Sequence, residues 1–255
     1  HTLRILSLLA GARGPLPATA DLTVENLEMA MVLSDRALIR WSTPYEYADV
    51  EIICLKSDSK EKIHQQQLRQ GRFAVTRNSY CLRGLQPESK YQLVLVFRDR
   101  NRTAVQRANL SFTTPAQEQD QPRTLFVAAA TGQDSQDGLS PQTAKKTIAA
   151  ALLSARRGDT VQIAAGIYPE MLEVYVDGLT LKGEQPGQVR LSAQRIFDSQ
   201  LVLNQVSDIT IDGLMFTDVY YTSSSTSLSL TDVSNITVQN CFFDRNHTPG
   251  RGACA

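Results

Sequence analysis

LVLNQVSDITIDGLMFTD, Leu201 to Asp218, and LSLTDVSNITVQNCFFDR, Leu228 to Arg245, are one pattern written twice, 27 residues apart. Seven aligned positions are identical: Leu201/Leu228, Leu203/Leu230, Val206/Val233, Ser207/Ser234, Ile209/Ile236, Thr210/Thr237 and Phe216/Phe243. A fixed period of this length marks a stacked-repeat architecture, in which each unit buries its apolar edge against its neighbours. The apolar positions alternate (Leu201, Leu203; Ile209, Ile211; Ile236, Val238), so the unit is a coil of short strands and not a helix pair. Corner chemistry repeats with it. Gly213 follows Ile211-Asp212, Asn240 follows Val238-Gln239, and Gly183 closes the earlier copy Leu179 to Gly183. Positive φ is cheap for Gly and tolerable for Asn, so all three are expected to turn one left-handed corner.

Working back toward the start, residues 124–255 read as one solenoid and residues 21–115 as a separate domain, joined by the polar linker AQEQDQPR at residues 116–123. The chain has 255 residues, 42% of them apolar and 20% charged, which leaves room for two domains. Its 26 basic and 26 acidic residues cancel, so it carries no electrostatic footprint for nucleic acid or an anionic membrane. No apolar run reaches the roughly 18 to 20 residues that span a bilayer. Residues 1–20 hold a short apolar run, Ile5 to Ala12, behind Arg4, and the small-x-small triplet Ala18-Thr19-Ala20. They read either as the remnant of a signal peptide or as a lead-in to the first domain.

Residues 21–115 alternate in short strands: Ala37 to Trp41, Val50 to Leu55, Tyr80 to Leu85, Tyr91 to Phe97 and Ala108 to Phe112. Trp41 on the second strand, the run Ser79 to Tyr91 with Leu85, Pro87 and Tyr91, and the closing Phe112-Thr113-Thr114-Pro115 resemble a fibronectin type III domain. The resemblance implies a β-sandwich in which Leu85 and Tyr91 pack around a turn preformed by Pro87. It implies little about function, since the same sandwich serves many roles. No Arg-Gly-Asp loop is present, and a spacer role is expected, with carbohydrate or surface contact as the other reading. Gln65-Gln66-Gln67 is read as a solvated edge.

The segment Thr131 to Glu170 opens the second domain. Thr147 is placed to cap a helix over Ile148 to Arg157, with Gly158 ending it. The Asp/Gly-rich loop (Asp134, Asp137-Gly138, Ser140-Pro141), Thr147-Ile148 with Ala151, Gly158 to Val161, and Gly166 with Tyr168 occur in order. Together they resemble the N-terminal cap of right-handed parallel β-helix proteins of the pectate-lyase-like superfamily. The fold class is therefore expected to be all-β, a fibronectin type III sandwich followed by a capping helix and the first coils of a right-handed parallel β-helix. The resemblance implies an extracellular or cell-surface protein directed at a polysaccharide, an acidic one in the lyase branches, where β-elimination uses a Lys or Arg base and Ca²⁺ held by carboxylates. The chain then reads as the opening part of a uronic-acid polysaccharide lyase, inactive by itself. A non-catalytic adhesin or carbohydrate-binding scaffold is the alternative.

No catalytic, cofactor or metal residue is assigned. Asp198, Asp208, Asp212 and Asp218 invite a calcium reading, but the next copy replaces the last three with Asn235, Gln239 and Arg245, so they are expected to be solvated turn carboxylates. Lys182, Arg190 and Arg195 are the candidate bases on the same argument. His64 and His247 have no partner at a diagnostic spacing. Asp134 to Ser140 could hold a structural cation, though its Asp side chains are better placed to bond local backbone. Cys54, Cys81, Cys241 and Cys254 show no metal-ligand spacing, and strand parity sets Cys54 inward and Cys81 outward, against a bridge. Four Asn-x-Ser/Thr sequons, at Asn101, Asn109, Asn235 and Asn246, would matter only in a glycosylating secretory pathway.

Overall fold

The computed structural model describes residues 25–42, 49–69, 78–98, 104–117, 121–192, 199–218 and 226–246. The chain divides into two compact units, His1–Gln117 and Glu118–Ala255. Asn101, Arg195, Asp198, His247 and Cys254 lie outside the described residues, as does the stretch read as a signal-peptide remnant.

Unit one packs two antiparallel sheets. The first holds β1 (Glu25–Val32), β2 (Arg36–Ser42) and β5 (Asn78–Arg83), in the order β1-β2-β5. The second holds β3 (Asp49–Lys56), β4 (Lys62–Arg69), β6 (Lys90–Arg98) and β7 (Ala104–Thr113), in the order β4-β3-β6-β7. Alternate residues of both sheets meet in one core that includes Ile39, Trp41, Val50, Ile52, Cys54, Leu82, Leu93, Leu95 and Phe97. The Phe97 ring stands edge-on to Trp41, with centroids 6.5 Å apart. Leu85 and Tyr91 are buried beside the turn after β5, and the Tyr91 hydroxyl accepts the Gln86 N–H at 2.8 Å. Gln65, Gln66 and Gln67 lie on β4, an edge strand, where Gln65 and Gln67 donate to Glu51 and Asp49 of β3. Sequence reading treated this run as an edge but did not see the strand, because three glutamines carry no apolar alternation.

Unit two opens with β8 (Thr124–Val127), a short 3-10 turn at Pro141–Thr143, and α1 (Ile148–Ser154). Thr147 caps α1 by accepting the Ala150 N–H, and Glu170 reaches back to accept from Ile148 and Ala149. Burial raises the Glu170 carboxyl above its ordinary value, against the lowering effect of those two donors. α1 stops at Ser154, short of the Arg157 expected from its composition. The fully buried Asp159 is the reason. Its carboxylate accepts the Arg156 N–H at 2.9 Å and holds Arg123, through both backbone and guanidinium, which pulls the chain off the helical path. Gly158 (φ 85°) consequently serves as a strand corner and not as a helix stop.

Eleven further strands then repeat in threes: β9 (Thr160–Ile163), β10 (Gly166–Tyr168), β11 (Leu172–Val174); β12 (Thr180–Gly183), β13 (Val189–Ser192), β14 (Leu201–Asn204); β15 (Ser207–Asp212), β16 (Leu214–Thr217), β17 (Leu228–Thr231); and β18 (Ser234–Gln239), β19 (Phe242–Asp244). All pair in parallel with the strand three places on. The three sheets are β18-β15-β12-β9-β8, β10-β13-β16-β19 and β11-β14-β17. Parallel neighbours cannot be joined by a hairpin, so the chain visits each sheet once per lap. The laps are unequal: Thr160↔Thr180, Thr180↔Thr210 and Thr210↔Thr237 are in register, so the middle lap is the longest and the first the shortest.

Like side chains pile in columns. Val161, Leu181 and Ile211 are wholly buried, and Val238 continues the column; Tyr168, Leu191, Phe216 and Phe243 form another. Positive-φ corners stack too: Gly158, Gly178, Asp208 and Asn235 at one bend, Gly213 and Asn240 at a second, Gln205 and Asp232 at a third, Asp218 and Arg245 at a fourth. Gly183 does not join the second bend, since its φ is not positive. Its glycine answers a different demand, because a Cβ there would sit 2.6 Å from the Gly213 carbonyl oxygen.

Candidate functional site

The flattest repeated surface is the outward side of the five-stranded parallel sheet. Val161, Ile163, Leu181, Ile209 and Ile211 point inward, so the residues between them face out. Two outward columns result. One is Thr124, Thr160, Thr180, Thr210 and Thr237, five threonines in strict register on five successive strands. The other is Phe126, Gln162, Lys182, Asp212 and Gln239. Adjacent rungs lie about 4.8 Å apart, so the columns offer hydroxyl, methyl, amide and one opposite charge pair at a repeating interval.

Lys182 therefore stands between an amide and a carboxylate, and Arg190 stands between Ile167 and Met215 in the second sheet. Neither is brought beside a second cation or a cluster of acids. The carboxylates behave as the sequence suggested, each turned to the following lap. Asp208 accepts from Asn235 at 2.6 Å, Asp212 accepts from Asn240 at 2.8 Å, and Asp218 pairs with Arg245 at 3.3 Å. The Asn235 donor is the chief reason the Asp208 carboxyl lies below its ordinary value. Among the described residues no group of His, Cys, Asp and Glu is arranged to hold a metal ion.

The Asp134–Ser140 loop does wrap a cation, and it belongs to the chain itself. The buried Lys145 ammonium donates to the carbonyls of Gln136 (2.7 Å) and Asp134 (3.2 Å), with Gly138 packed on its stem. Asp134 accepts the Lys146 and Thr147 N–H groups, and Asp137 accepts from Leu139. Sequence reading placed the carboxylates on backbone but missed Lys145, because nothing in a Lys-Lys pair tells which side chain turns inward.

In unit one, His64 Nε2 lies 2.7 Å from the Tyr80 hydroxyl, joining an edge of each sheet. Burial lowers the His64 pKa and raises that of Tyr80. Cys54, Cys81 and Cys241 are free thiols; burial pushes Cys54 up to about 11 and Cys241 upward, leaving neither an activated nucleophile. No helix among the described residues is long and apolar enough to cross a membrane.

No known protein family matches the sequence, and no curated protein matches it either. Among solved structures, unit one is similar to three sandwiches. A myokine structure matches at 14% identity and TM-score 0.32, over 38% of this chain and 99% of that one. The fn3 domain of human collagen alpha-1(XX) chain matches at 17% and 0.32, over 43% and 98%. The fn3 domain of human contactin 1 matches at 12% and 0.31, over 43% and 95%. Unit one is a fibronectin type III-like β-sandwich on its own features: a three-plus-four strand order, Trp41 in the core, and a tyrosine hydroxyl bonded back to the chain at the corner. Unit two consists of parallel sheets wound by successive laps.

Proposed function

We propose that this chain is an extracellular, non-catalytic binding scaffold for a polysaccharide, in which a fibronectin type III-like module precedes the first coils of a right-handed parallel β-helix. The register of the threonine column carries the reading. A sugar polymer repeats hydroxyl donors and acceptors along its length, and a surface that repeats Thr hydroxyls and methyls rung by rung can meet it over several units. The mixed column beside it sums to no net charge, Lys182 offsetting Asp212, so binding should depend only weakly on salt. Uronate β-elimination would need a base and a charge-neutralising partner facing one sugar, and Lys182 and Arg190 have no such partner in their columns.

The test is incubation of the full chain with pectate, alginate, chondroitin and uncharged glucans. Retardation in affinity electrophoresis is read together with the ultraviolet absorbance of unsaturated products. The scaffold reading expects retardation on at least one polymer, relieved by Thr180→Arg or Thr210→Arg, and no absorbance rise. Turnover on any uronate polymer, or retardation untouched by both substitutions, overturns it.

A further inference from the structure

The two ends of the lap stack are finished differently. At the first end α1 packs across β8, β9 and β11, burying Ile148, Ala151 and Leu152, so the apolar interior is closed. At the other, β17, β18 and β19 each have a strand neighbour on one side only among the described residues. The interior columns surface there: Leu230 is 48% exposed, Val238 40% and Phe243 42%, where Leu203, Ile211 and Phe216 one lap earlier are fully buried. Phe243 covers Phe216 with one face and presents the other. The polar corners of this lap are Asn235, Gln239 and Asn240, neutral amides that donate and accept alike, where the lap before carries Asp208 and Asp212.

We infer that this open end is a self-association surface whose occupant is the same end of a second copy, giving a closed head-to-head dimer. Three strand edges of one lap can be met together only by a surface with three matching edges, and the first end of the stack is capped. Continuous head-to-tail stacking is thereby blocked, leaving an isologous pair. A two-fold axis normal to the five-stranded sheet sets β18 antiparallel to its own copy, which satisfies the free backbone groups of both. It also brings β17 of each copy against β19 of the other, so that Leu230 and Phe243 face one another. The self-complementary amides meet with no like charge opposed, as Asp208 and Asp212 would have been.

Sedimentation of the full 255-residue chain across a concentration series tests this, with Val238→Lys and Phe243→Lys as variants and Ile167→Lys as control. All three positions are already exposed, Ile167 at 59% on an outward face away from the end, so folding is preserved and is checked by the melting profile. The wild type and the control should form dimers and nothing larger. Each end variant should weaken the dimer by at least about a hundredfold, because like charges then face across the two-fold axis. A wild-type chain that stays monomeric, dimers that survive both end substitutions, dimers lost equally in the control, or open-ended oligomers each overturn the inference.

Discussion

Phe243 lies flat on Phe216, ring centroids 4.9 Å apart and planes 7° from parallel, although a full repeat of the sequence separates them. An offset this short between equivalent positions of successive repeats follows from parallel rungs in register, with Phe216↔Phe243 paired at the backbone as well. Hairpins folding back and forth would have sent the two rings to different strands. Phe216→Ala should cost about 3–5 kcal/mol in the unfolding of unit two, as for a fully buried aromatic. Phe243→Ala should cost clearly less, since it is 42% exposed. The double variant should show a coupling of about 0.5–1.5 kcal/mol, read from denaturant curves.

The glycines at the second bend should separate by cause. Gly183→Ala forces a Cβ to within 2.6 Å of the Gly213 carbonyl oxygen and should cost about 1–3 kcal/mol or more. Gly213→Asn places in one lap what Asn240 already is in the next, at a φ of 75° against 52°, and should cost less than about 1 kcal/mol. Thermal melting of the two variants side by side checks the order.

Lys145→Met keeps the length of the buried stem but leaves the Asp134 and Gln136 carbonyls without their donor. The expected loss is about 2–4 kcal/mol. Lys146→Met, at an exposed neighbour, should be close to neutral. Equal effects of the two would show that the loop is not built around the Lys145 ammonium.

His64 gives unit one a pH dependence. Burial holds its folded pKa below the unfolded value of about 6.5, so the unfolded chain binds the proton more readily. Stability is then fully present above that value and falls as pH drops through the window between the unfolded and folded values. His64→Gln, which keeps a hydrogen-bonding partner for Tyr80, should flatten the melting temperature of unit one over that window.

The repeat at Leu201–Arg245 made the lap architecture legible because columns of like residues can be read in one dimension once the period is known. Trp41, Leu85 and Tyr91 did the same for the sandwich, since each has one specific packing place. What sequence did not disclose was set by partners distant in the chain. The helix end at Ser154 depends on Asp159, the role of Gly183 depends on the Gly213 carbonyl one lap on, and the cation in the Asp134 loop is a side chain that only the fold turns inward. The outward threonine column was hidden for a related reason. Its members Thr160, Thr180, Thr210 and Thr237 stand at unequal intervals along the chain, which no single period connects.

Cysteine pairs across that column test the lap winding most directly. In a background with Cys54, Cys81, Cys241 and Cys254 changed to Ser, Thr180→Cys with Thr210→Cys, and Thr210→Cys with Thr237→Cys, set two thiols on adjacent parallel rungs, within the Cα separation a disulfide accepts. Both pairs should oxidise in the folded chain, while Thr180→Cys with Thr237→Cys, two rungs apart, should not. Failure of both neighbouring pairs, or efficient closure of the two-rung pair, would contradict successive laps lying one upon another.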